Sequence, residues 1–181
     1  MTETDTQMHR LRERAQVLSR RVDVLESLLL RSYLGLTIAL VAIGSVRWAV
    51  HNPDAAVERW SVVSAPFRYI HYLRNDVPRE DVVATLAVIG AATVLLLGVL
   101  VAVGLCLTLW GREVGERTSG LARSVAVVLL VGAAVVILTG LVGGAGVDEA
   151  GIGPGAWWLS AGAALFALLS FHEDLQRLWL R

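Results

Sequence analysis

Residues 82–110 read VVATLAVIGAATVLLLGVLVAVGLCLTLW, a stretch without one acid, base or proline. As an α-helix it is about 43 Å long at 1.5 Å per residue, longer than the ~30 Å hydrocarbon core of a bilayer. A helix at the surface of a soluble domain keeps a polar face for water, and this segment has none to offer. It predicts a membrane span that fits the bilayer by tilting.

Three further stretches share its character. Residues 32–50, SYLGLTIALVAIGSVRWAV, form a first span, and residues 121–143, LARSVAVVLLVGAAVVILTGLVG, form a third. Residues 156–171, AWWLSAGAALFALLSF, fall just below the usual length for crossing; they read as a fourth span, with a re-entrant segment as the alternative. Charges are confined to 1–31, 47–81, 112–123 and 172–181, apart from Asp148 and Glu149. Only 18 % of the 181 residues are charged, against about a quarter in a typical soluble domain. A bilayer sorts a chain in this way, because a charge at its centre costs at least about 2.5 kcal/mol.

The expected fold is therefore all-α: a polytopic four-transmembrane-helix bundle preceded by a cytoplasmic helix at 1–31. The second span at 82–110 follows an outer amphipathic loop at 51–81. A cytoplasmic loop at 111–120, a Gly-rich outer loop at 144–155 and a cytoplasmic tail at 172–181 complete the layout. About thirty polar and charged residues precede the first span, which does not fit a cleavable signal peptide.

Orientation follows from arginine, since all 16 Lys+Arg positions are Arg, a usage that a GC-rich bacterial genome explains. Arg10, Arg12, Arg14, Arg20, Arg21, Arg31, Arg112, Arg117, Arg123, Arg177 and Arg181 fall on one side of the four spans. Arg59, Arg68, Arg74 and Arg79 fall on the other, with Arg47 near that edge. The basic-rich side is cytoplasmic, which places both termini inside and the protein in the plasma membrane. Trp48, Trp110, Trp157 and Trp158 sit at the ends of apolar runs, where an indole keeps its ring apolar and its N–H hydrated. They are the expected interface anchors against membrane lipid.

The segment before the first span carries its own pattern. Met8, Leu11, Ala15, Leu18, Val22, Leu25 and Leu29 alternate steps of three and four, the a/d spacing of a coiled coil. Ser32, Leu36, Ala39, Ile43 and Val46 continue the register into the span. These positions read as an oligomer interface within one helix of over forty residues, pairing with a second copy or with a helix of another protein. In a parallel pair Arg21 at g would face Glu26 at e. The alternative is an amphipathic helix lying on the inner leaflet, and Val17, Val24, Leu28 and Leu30 widen the apolar stripe in that direction.

In the outer loop Val57, Trp60, Val63, Phe67, Ile70 and Leu73 recur at helical spacing, with Pro66 expected to bend or break the helix. If helical, Arg47, His51, Asp54 and Glu58 would share a face. Gly90, Ala91, Gly98, Gly104, Gly132, Ala133, Gly140, Ala161 and Gly162 are candidate close-contact sites between helices.

Several chemistries find no residues here. The spans contain no midplane carboxylate of the kind ion-coupled transport needs. Cys106 is the only cysteine, so no internal disulfide, redox pair or thiolate zinc site can form. His9, His51, His71 and His172 lie at edges or in the tail, phosphate-binding and nucleophile-elbow motifs are missing, and a net charge of zero offers nothing to nucleic acid. The expectation is a non-enzymatic accessory or scaffold subunit without catalytic, cofactor or metal residues, forming a homo-oligomer or joining a larger membrane complex. The alternative is an oligomeric pore or passive permeation unit.

Overall fold

A computed structural model describes residues 3–52, 58–75, 82–110, 117–143 and 151–172. Helix α1 runs without a break over Glu3–Val46. A short helix α2 covers Ala65–Asn75, and α3, α4 and α5 occupy Val82–Trp110, Arg117–Gly143 and Pro154–Phe171. Four of the five, α1, α3, α4 and α5, are long and apolar enough to cross a membrane. The chain is a multi-pass helical membrane protein.

The four spans form a closed ring. Helix α1 packs against α3 and α5, and α4 packs against the same two, with α1 and α5 sharing the most extensive contact. Close approaches fix the directions. Gly44 meets Leu159, whereas Gly162, further along α5, meets Val41 and Leu40 earlier on α1; the two helices are antiparallel. Gly98 against Val128 and Gly132 against Leu95 show the same for α3 and α4. The ring is filled: Phe166, Leu34, Leu129, Leu159, Leu169 and Val41 are fully buried. Water does not drive helix association inside a bilayer, so this interdigitation, at backbone distances that glycine permits, must hold the spans together.

Polar groups in the core are satisfied locally. The hydroxyls of Thr37, Ser45 and Ser170 donate to the carbonyl oxygens of Tyr33, Val41 and Phe166, four residues back on their own helices. This is the usual resting place for a hydroxyl in a membrane helix.

One end of the bundle carries a cap that periodicity alone does not reveal. After Val46 the Arg47 amide still reaches Ile43, and then the chain extends. Strand β1 (Val50–His51) pairs antiparallel with β2 (Arg59–Trp60) on one side and β3 (Gly151–Ile152) on the other. The helical part of the first span thus stops at Val46, short of residue 50. His51 is in a strand, so Arg47, His51 and Glu58 do not share a helical face; Asp54 lies outside the described residues. The helix expected from Val57 through Leu73 begins only at Ala65, because Arg59 and Trp60 are held by β1. Pro66 sits in the first turn of α2, where its missing N–H leaves no bond unmade, and so starts the helix rather than breaking it. Pro154 does the same for α5, which begins two residues ahead of 156.

Candidate functional site

The residues singled out from the sequence fall on two structures: the free side of α1 and the cap. Helix α1 has two faces. From Leu30 onward, Leu30, Leu34, Thr37, Val41, Gly44 and Ser45 turn into the bundle and are buried. In the heptad these are chiefly b and f positions, about 150° around the helix from a and d at 100° per residue. The a/d stripe remains uncovered. Leu18 is 61 % exposed, Leu29 66 % and Val46 70 %, against 0 % for Leu34 and 1 % for Val41. Val22, Leu25, Leu36 and Ile43 are exposed along the same line, as are Ser32 and Ala39. The α1 backbone also passes through Met8, Leu11 and Ala15, whose side chains lie outside the described residues.

Ahead of Leu30 the helix leaves the bundle. Residues 16–25 are exposed on every side, with Val17, Arg20, Arg21, Val24 and Leu25 bordering a shallow groove on its surface. At about 66 Å by rise, α1 is far longer than the ~27 Å of α5 beside it.

The four tryptophans take up the two ends of the bundle, all at least 40 % exposed. Trp110 closes α3 at the projecting end and packs over Gly35 of α1. Trp48 lies at the capped end, with Trp157 and Trp158 in the first turn of α5 nearby.

The cap is assembled around Trp48. Its ring occupies the space that a Cβ on Gly153 would fill, 2.2 Å from Cε3. The Gly155 amide donates to the Trp48 carbonyl oxygen at 3.0 Å, and the Gly153 amide to that of Ala49 at 2.8 Å. The chain leaving α1 is thereby fastened to the chain starting α5. His51 stands edge-on to Trp48, centroids 6.3 Å apart. Arg59 Nε donates to His51 Nδ1 at 3.3 Å, with the Glu58 carboxylate 3.9 Å from the same nitrogen. Beyond β2, Ser61 and Ser64 bond reciprocally, each amide to the other's hydroxyl, and set the turn into α2. Helix α2 rests on α3 with Tyr69, Tyr72 and Leu73 half-buried, and leaves Phe67 and Ile70 exposed.

The small residues divide differently from expectation. Gly98, Gly132, Gly140 and Gly162 do seat neighbouring side chains, and Ala133 is buried. Gly90 and Gly104 face open space, while Ala91 and Ala161 are exposed. The tightest contacts belong to Gly44 and Gly155, neither of which stands out in sequence: a Cβ on either would fall 2.3–2.4 Å from backbone of the facing segment.

Among the described residues no three His, Cys, Asp or Glu side chains gather to hold a metal ion. No family model matches this chain, nor does any curated protein or solved structure. The class rests on the fold itself: a four-span helical membrane protein whose first helix carries a second, uncovered face.

Proposed function

We propose that this chain is a non-enzymatic accessory or scaffold subunit of the plasma membrane, with both termini in the cytoplasm, that assembles with itself or into a larger complex through α1. The observation that carries the reading is the division of α1: one face is consumed by the bundle, and a continuous apolar stripe is left over, running past the end of the bundle. Large exposed apolar stripes on a folded chain mark interaction surfaces. The arginine distribution supports placing the projecting end inside the cell.

A pore is the weaker reading. The bundle axis is filled by Phe166 and the leucines around it. The outward hydroxyls of Thr93, Ser124 and Thr139 are bonded to their own helices at 2.7, 3.1 and 2.7 Å instead of lining a polar path.

The test is a pull-down from native membranes followed by native mass spectrometry. The expected result is a particle larger than the monomer that falls apart when Leu18→Asp and Leu25→Asp are combined. A monomer in the wild-type extract would refute the proposal.

A further inference from the structure

Resting on that reading, the geometry points to a specific partner: a second copy of this chain, paired in parallel along the a/d stripe of α1 from Leu18 to Val46. The seam begins beyond the bundle and continues through the span, about 42 Å of helix.

Three features of α1 lead to this pairing. The first is vacancy of the right positions. The bundle buries b and f, so folding leaves Leu18, Val22, Leu25, Leu29, Leu36 and Ile43 exposed in a single heptad register. Small Ser32 and Ala39 occupy d inside the span, where close backbone approach is what allows helices to associate.

The second is continuity. Residues 3–34 contain neither proline nor glycine, and α1 is one helix across them. To lie on the bilayer surface, the segment before Leu30 would need a sharp bend at the edge of the bundle, and such kinks come from Pro, Gly/Ser pairs or bulges. An unbent helix carries the seam out of the membrane in phase.

The third is symmetry and charge. Copies inserted with the same topology are necessarily parallel, and a two-fold axis makes the interface self-complementary. Parallel pairing sets each g position against the following e position of the other helix. Arg21 then lies beside Glu26 of the second copy, and the axis repeats the contact. A dissimilar helix would have to present the same register over the whole length, whereas a second copy presents it by identity. Leu18 and Leu25 at d with Val22 at a suit two strands.

Single cysteines at Leu18, Leu25, Leu36 and Ile43, in a Cys106→Ala background, test the seam in native membranes with copper–phenanthroline as oxidant. Arg20→Cys and Leu100→Cys, exposed but off the seam, are the controls. Disulfides form only where Cα atoms come within roughly 7 Å, so dimer should appear at the four seam positions at least about tenfold faster than at the controls. Crosslinking at Leu18 and Leu25 with none at Leu36 and Ile43 overturns the continuous seam. No preferential crosslinking at any of the four, in membranes whose extracted wild-type particle exceeds the monomer mass, overturns α1 pairing and leaves the assembly reading standing. A wild-type monomer overturns both.

Discussion

The Tyr33 hydroxyl donates to the main-chain oxygen of Leu165 at 2.6 Å, joining the first span to the last across 132 positions of sequence. Tyr33 occupies an e position of the heptad, at the boundary between the seam and the buried face, and its ring turns towards α5. Tyr33→Phe removes the donor and keeps the ring. Because Leu165 lies within α5, its oxygen keeps a helical partner, so the loss should be modest, about 0.5–1.5 kcal/mol. Detergent-titrated unfolding of the two proteins measures it, and equal stability would show that the bond contributes nothing.

Glycine substitutions should sort by location. On Gly44 a Cβ would lie 2.3 Å from the Leu159 nitrogen, and on Gly155 it would lie 2.4 Å from the Arg47 oxygen. Backbone has to move in both cases, so Gly44→Ala and Gly155→Ala should each destabilise by about 1–3 kcal/mol or more. At Gly90 and Gly104 the space is open, and alanine there should be neutral or stabilising by up to about 1 kcal/mol. The measurement is thermal unfolding in one detergent; a similar loss at all four positions would contradict the packing described.

Helix α2 supplies a pH dependence. Burial, with Tyr72 adding to it, raises the Tyr69 phenol above its ordinary value of 10.0. The folded protein therefore holds that proton more tightly than the unfolded chain does. The associated stability is complete below about pH 10 and is lost as pH rises through the raised value. Tyr69→Phe cannot ionise and should lose less stability than wild type in that alkaline window, while the two follow parallel curves below it. Unfolding midpoints measured across the window decide the matter, and parallel curves throughout would remove Tyr69 from the account.

Cys106 gives an intrinsic probe of the bundle. It is 1 % exposed on α3, and a thiol packed among apolar side chains is inert to alkylation. Maleimide should label it only as the helices separate, with a rate that tracks unfolding. Prompt labelling of the folded protein would contradict the packing around α3.

The four apolar helices were legible in the sequence because a bilayer segregates charge, and segregation is visible one residue at a time. The unbroken course of α1 was legible from the same kind of signal, since its heptad passes through Ser32 without changing phase. The cap was not. Val50 pairs with Trp60 and with Ile152, and no property of a two-residue strand announces a partner about a hundred positions away. Periodicity therefore misread residues 57–64 as helical, although the spacing of Trp60, Val63 and Phe67 fits a helix well. Gly44 and Gly155 were missed for a related reason. The demand for glycine comes from the facing segment and leaves no trace in the residues on either side. On α1 the stripe was readable, but which side of the helix the bundle would claim was not.

The antiparallel contact between α1 and α5 has a consequence for biogenesis. A ribosome delivers α1 to the membrane first and α5 last, yet each is the other's most extensive neighbour. While α3 and α4 are being inserted, the groove around Gly44 and Val41 must wait in lipid, and the sheet that latches the two ends cannot form until Gly151 and Ile152 have emerged. Closure of the bundle is thus a post-insertion event, and a nascent chain halted before α5 presents both faces of its first helix at once.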